Sequence, residues 1–125
     1  MGNVIKTSFY ELESLNPQIA SIYPEKDNFE ENKDYLILDF GRKTKQDITE
    51  CNIRVKLPED LLIYSTTASC GCTRPTFKKV DDYYIVHVYF NNKEVAENVS
   101  KYFTIHINNS KKIKLISRRF EGRGK

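Results

Sequence analysis

The side chains best suited to chemistry are the two cysteines of the tripeptide Cys70-Gly71-Cys72. A cysteine pair can bind a metal ion, form a disulfide or supply a thiolate nucleophile. The glycine between them permits main-chain conformations that other residues resist, and Pro75 interrupts a regular strand ladder soon afterwards. This spacing predicts a tight corner in which Cys70, Gly71, Cys72 and Thr73 form a structural motif.

Each chemical role of the cysteine pair requires further groups. A structural zinc site needs four ligands, and the other candidates are Cys51, His87 and His106. Alternation along their strands places Cys51 on a core face and each histidine on an outer face, and an Ig-like strand order puts the histidines in different sheets. A Cys70–Cys72 disulfide would close a small, strained ring, and a catalytic thiolate would need a nearby base. We therefore expect no metal, no cofactor and no enzymatic activity; the alternative is a cysteine-based redox or metal-binding module of a bacterial cell.

Length and composition bound the class of protein. A chain of 125 residues with 39 % hydrophobic and 12 % aromatic residues suits one domain with one packed core. The net charge of +3 is too mild to predict nucleic-acid binding. No apolar run is long enough to span a membrane, and residues 1–6 do not resemble a signal peptide. An odd number of cysteines, three, argues against a disulfide framework.

Seven short apolar segments follow one another from Tyr35 onward, with turn residues such as Asn108-Asn109-Ser110 between them. Strict alternation of apolar and polar residues predicts half-buried strands. Strands of this number and spacing predict an all-β fold, an Ig-like antiparallel β-sandwich over residues 35–122. The predicted core includes Ile53, Val55, Val86, Val88, Phe90, Phe103, Ile105 and Ile107.

The segments outside the sandwich are predicted to bind partners. Residues 1–34 are interpreted as an N-terminal arm or extension, because their apolar side chains are too few in one register to form a core. Residues 123–125 form a basic tail. The acidic arm and basic end can set the register of an interface. The predicted partner-binding residues are Phe9, Leu12, Leu15, Ile22, Tyr23, Arg118, Arg119 and Arg123.

The order of Leu38-Asp39-Phe40-Gly41, Ser69-Cys70-Gly71-Cys72-Thr73 and Phe120-Glu121-Gly122 resembles the bacterial "CGCT" domain of unknown function. That family belongs with the Ig-like domains of the Hydin and centrosomal type, and the resemblance covers about residues 35 to 122. It implies a β-sandwich without an established enzymatic activity, often exported from Bacteroides-type bacteria. The missing export signal and the N-terminal arm depart from this pattern.

These departures predict a different setting, in which the protein is built into a larger assembly. We expect a structural accessory protein, capsid-decorating or auxiliary to the head, in the virion of a crAss-like bacteriophage that infects Bacteroides. It would assemble in the host cytoplasm, with capsid or other virion proteins as partners and with neither membrane nor nucleic acid.

Overall fold

The residues that the structure describes form an all-β sandwich of two five-stranded sheets. A computed structural model describes residues 4–7, 9–15, 19, 21–25, 33–42, 48–69, 73–91 and 98–120, and these residues contain strands but no helix. The strands are β1 Val4–Lys6, β2 Glu11–Ser14, β3 Ser21–Pro24, β4 Lys33–Arg42, β5 Ile48–Lys56, β6 Ile63–Ala68, β7 Thr73–Val80, β8 Tyr83–Asn91, β9 Asn98–Ile107 and β10 Lys111–Phe120.

The strand order matches that of an immunoglobulin domain. The first sheet is β1-β2-β5-β8-β7 and the second is β3-β4-β10-β9-β6. The run β2-β5-β8-β7 corresponds to the A-B-E-D sheet of the Ig fold, and β10-β9-β6 corresponds to G-F-C. The predicted fold class is confirmed, with one refinement: β4 pairs with β10 in parallel, so the second sheet is mixed.

Alternation along the strands identified the core correctly. Phe103, Ile105 and Ile107 of β9 are fully buried, as are the predicted core residues of β5 and β8 whose side chains are described. The side chain of Phe90 lies outside the described part. The turn predicted at residues 108–110 joins β9 to β10, and Asn109 and Ser110 adopt φ angles of 66° and 64° there. Such left-handed conformations reverse the chain tightly, and asparagine tolerates them well.

The described part of residues 1–34 belongs to the sandwich, where the sequence predicts an arm. β2 pairs with β5, with Leu12 opposite Val55, and β3 pairs with β4, with Ile22 opposite Leu38. Leu12 and Ile22 are buried in the main core. Each short strand contributes only a few apolar side chains, but these add to sheets built by the later strands, so no separate core is needed. The predicted boundary at residue 35 also falls inside β4.

This integration makes a direct prediction for stability. Leu12→Ala should lower the free energy of unfolding by about 2–5 kcal/mol, because Leu12 is 0 % exposed and its loss leaves a cavity in the core. Leu15→Ala is the matched control: Leu15 is 47 % exposed, and its truncation should change stability by less than about 0.5 kcal/mol. Chemical denaturation measures both; equal effects would contradict this packing.

Candidate functional site

The Cys-Gly-Cys motif connects the two sheets. β6, at one edge of the second sheet, ends at Ala68, and β7, at one edge of the first, begins at Thr73. Cys70, Gly71 and Cys72 themselves lie outside the described residues. Both flanks are anchored: the Ser69 N–H donates to the Tyr102 carbonyl at 2.9 Å, and Thr73 is buried. The structural role of the motif stays a prediction.

Other groups with chemical potential lie far apart in the fold. His87 is on the outer face of the first sheet and His106 on the outer face of the second, as the alternation predicted. Cys51 is 1 % exposed between the sheets, and burial raises the pKa of its thiol to about 12. Within the described ranges, no three His, Cys, Asp or Glu side chains are placed to share a metal ion.

Burial of Cys51 predicts an inert thiol. In the variant Cys70→Ser/Cys72→Ser, the remaining thiol should react with a disulfide reagent at pH 8 roughly a thousandfold more slowly than in guanidinium, because its thiolate fraction falls with the raised pKa. Because the pKa of Cys51 is higher in the folded than in the unfolded protein, burial of the neutral thiol stabilises the fold fully below pH 9. This stabilisation is lost as the pH rises towards 12. Rapid reaction of the folded variant at pH 8 would contradict the assignment.

The outer face of the second sheet carries a cluster of aromatic and basic side chains. In the register of the sheet, Tyr23 lies opposite Ile37, Ile37 opposite Ile116, and Ile116 opposite Tyr102. The next rows contain Tyr35 beside Lys114 and Lys33 beside Lys112. We name this surface the Tyr–Lys face, and its members are Tyr23, Lys33, Tyr35, Tyr102, Lys112, Lys114 and Ile116; Ile37 lies on the same side of the sheet but is 2 % exposed and offers no surface.

Lysine ammonium groups sit over the tyrosine rings of this face. Lys114 Nζ lies 4.0 Å from the ring centroid of Tyr102 and 5.3 Å from that of Tyr35. Lys33 Nζ is 5.6 Å from the Tyr35 ring centroid, on a ring that is itself buried. Each such cation–π contact stabilises by about 0.5–1 kcal/mol at an exposed site. The contacts hold the charges in defined positions while Tyr102 stays 43 % exposed.

The pKa of His106 reports the local charge. Its imidazole lies beside the Tyr–Lys face, and its Nε2 is 3.0 Å from Oγ1 of Thr67. Burial lowers the pKa of His106, and the positive charges of Lys112 and Lys33 lower it further. A further positive charge is therefore disfavoured beside these two lysines.

The outer face of the first sheet is different, because several of its charged side chains lie close to groups of opposite charge. Glu13 forms a salt bridge with Arg54 on the neighbouring strand. Lys56 Nζ lies 3.5 Å from an Asp82 carboxylate oxygen, and His87 Nε2 lies 3.7 Å from Glu50. These exposed pairs add little to stability, but each brings opposite charges together. The Tyr–Lys face, where lysines contact tyrosine rings, is therefore the stronger candidate for recognition of an acidic partner.

The predicted partner-binding residues fall into distinct places. Leu12 and Ile22 are core residues, and that prediction is wrong for them because buried side chains offer no surface to a partner. Phe9 packs partly on the core, and Lys111 Nζ lies 4.7 Å from its ring centroid. Leu15 is exposed beyond β2.

Four of the predicted partner-binding residues remain. Tyr23 belongs to the Tyr–Lys face. Arg118 and Arg119 lie on β10, but their side chains, like all of Arg123, are outside the described part.

The sequence missed the centre of the candidate site. Tyr35 and Tyr102 are 67 positions apart, and only the pairing of β4, β10 and β9 brings them to one surface. The basic residues of β10 do not protect a sheet edge, since β10 lies in the middle of the second sheet. Alternating Lys112 and Lys114 in the last strand were the available signal.

The strand order and the packed core define an Ig-like β-sandwich with a basic aromatic outer face. The chain matches the family described as "Protein of unknown function (DUF1573)" over residues 31–121, and it belongs to that family. The match covers β4 to β10, so β1 to β3 precede it. No curated protein matches the sequence significantly. None of the described residues forms a helix that could cross a membrane.

Proposed function

We propose that the protein is a non-enzymatic interaction module that binds an acidic surface of a partner protein through the Tyr–Lys face. The observation that carries this proposal is the placement of Lys33 and Lys114 over the rings of Tyr35 and Tyr102, with Lys112 opposite Lys33 in the register of the sheet. Tyr102, which is 43 % exposed, offers contact area, and tyrosine is enriched in protein interfaces. Tyr35 is buried, so it contributes by holding Lys33 and Lys114 over its ring. Clustered lysines add complementarity to carboxylates and accelerate association.

A protein partner fits this surface better than single-stranded nucleic acid. Base stacking requires ring faces that are free to receive a base. Lys114 lies over Tyr102 and Tyr35, and Lys33 over Tyr35, so ammonium groups compete for those ring faces. Carboxylates can contact the same ammonium groups without displacing them from the rings.

The assembly that the sequence predicts is a bacteriophage particle, with capsid or other virion proteins as partners. We retain this setting as part of the proposal. It is tested by quantitative mass spectrometry of purified particles from the host that carries this gene. A fixed stoichiometry relative to the major capsid protein would support a virion accessory, whereas absence from particles would remove that setting and leave the interaction module to be tested separately.

Reversing one charge on each outer face should show which of the two faces binds an acidic peptide. Lys114→Glu should weaken binding of a fluorescent poly-glutamate peptide by about tenfold or more, because it removes a cation and introduces a repulsive carboxylate. Lys78→Glu is the matched control: Lys78 is exposed on the outer face of the first sheet, and its reversal should change affinity by less than about twofold. Fluorescence anisotropy at two salt concentrations measures both.

Two outcomes of this experiment would overturn the proposal. Equal loss in both variants would indicate attraction to net charge without a site. Tighter binding of a single-stranded DNA of the same charge, lost in Tyr102→Ala, would indicate a nucleic-acid platform.

The position of His106 predicts a pH dependence. Its pKa is below the ordinary value of 6.5, so the imidazole is neutral at pH 7 and gains a proton as the pH falls. A bound carboxylate favours the protonated form, so affinity for the acidic peptide should rise as the pH falls below 6.5. His106→Asn keeps a polar side chain near Thr67 but cannot titrate, and it should remove the rise. An identical pH profile in the variant would exclude His106 as its source.

A further inference from the structure

The exposed apolar side chains of the described residues are not evenly distributed over the surface. Of the five large ones, three lie on or beside two neighbouring strands of the second sheet. Leu62 directly precedes β6, Tyr64 is the second residue of β6 and is 59 % exposed, and Tyr102 lies on β9. Exposed apolar residues scattered singly are ordinary, whereas several on adjoining strands indicate an interaction surface.

The two exposed tyrosine rings stand at opposite ends of the outward row of β9. Tyr64 lies beside His106, with the two ring centroids 6.1 Å apart. His106 and Tyr102 are four residues apart on β9, and both face outward because Phe103 and Ile105 between them face the core. At about 3.4 Å per residue, the two ends of this row are about 14 Å apart.

The surface between the two rings is lined by smaller, polar side chains. Thr67 of β6 lies opposite Thr104 of β9, and Thr104 lies opposite Lys114 of β10. Threonine is shorter than tyrosine, so this middle row leaves space between the rings for a side chain of a partner. Lys114 borders that space, because its Nζ also lies 4.0 Å from the ring centroid of Tyr102.

The charge around this space favours an acidic occupant. Neither β6 nor β9 contains Asp or Glu, and no described carboxylate forms a salt bridge with Lys112 or Lys114 on β10. On the other side of β6, the Thr66 hydroxyl donates a hydrogen bond to the Pro75 carbonyl of β7, which brings that strand and its exposed Arg74 to the same edge. Cations therefore flank β6 and β9 from both neighbouring strands, and a carboxylate of a partner complements them.

The spacing of the rows fits an extended segment. Side chains on one side of a strand recur at every second residue, about 7 Å apart. Positions i, i+2 and i+4 of an extended segment that runs along β9 therefore match the rows of His106, Thr104 and Tyr102. A helix rises about 1.5 Å per residue, so its same-side positions i, i+4 and i+7 span only about 10.5 Å and do not reach both rings.

We propose that the outer surface between Tyr64 and Tyr102 binds an extended segment of the partner with an apolar, an acidic and an apolar residue at positions i, i+2 and i+4. One apolar side chain contacts the Tyr64 ring and the other contacts the Tyr102 ring. The carboxylate between them contacts the ammonium group of Lys114. This inference rests on the proposed function, because it extends the Tyr–Lys face to β6 and names the kind of segment that the face recognises.

Two fluorescent peptides of identical composition and charge test the pattern. The first has the core Leu-Ser-Glu-Ser-Leu, and the second has the core Leu-Leu-Glu-Ser-Ser, whose leucines lie on opposite sides of an extended chain. Both carry the same pair of glutamates on each side. We expect the full chain to bind the first peptide about fivefold or more tightly in fluorescence anisotropy at pH 7, because only this peptide brings a leucine to each ring.

Removal of one ring should abolish the preference. Tyr64→Ser should weaken binding of the first peptide about fivefold or more, to the affinity of the second, and should leave poly-glutamate binding within about twofold. Tyr89→Ser is the matched control: Tyr89 lies on the outer face of the first sheet, and its replacement should change the affinity for the first peptide by less than about twofold. Chemical denaturation checks that both variants are folded.

Three results would overturn this inference: equal affinity of the two peptides, no binding of the first peptide at about 1 mM protein, or equal loss in Tyr64→Ser and Tyr89→Ser. Poly-glutamate binding distinguishes such a failure from a failure of the proposed function. If Lys114→Glu still weakens poly-glutamate binding, the proposed function stands and only the apolar–acidic–apolar pattern is wrong. If Lys114→Glu changes neither poly-glutamate binding nor binding of the first peptide, both are wrong.

Discussion

The parallel pairing of β4 with β10 is the contact on which the candidate site depends. β10 is the last strand of the fold, and its insertion between β4 and β9 joins two distant parts of the chain in one surface. In this register Lys114 lies beside Tyr35 and Lys112 beside Lys33. A shift by one residue would turn the apolar side chains of β10 towards solvent, so burial of Ile113 and Leu115 fixes the register. The same core contacts that stabilise the sandwich therefore position the charges of its outer face.

The energetics of that face suit recognition better than stability. Neighbouring lysines repel each other by about 0.5–1 kcal/mol per pair in a solvated setting, and the cation–π contacts return about as much. The grouping of Lys33, Lys112 and Lys114 therefore contributes little net free energy to folding. Carboxylates of a partner would relieve the repulsion and preserve the ring contacts. The salt bridges of the first sheet, such as Glu13 with Arg54, already provide that neutralisation within the chain.

Sequence periodicity was sufficient to predict the core residues but not the residues of the candidate surface. Long strands such as β9 repeat the alternation often enough to identify Phe103, Ile105 and Ile107 as buried. β2 and β3 have four residues each, too few for a period to emerge, so the burial of Leu12 and Ile22 depended on sheet partners that the local sequence does not reveal. The Tyr–Lys face was hidden for a related reason. Its rings and ammonium groups come from four strands, and outward positions carry no apolar pattern.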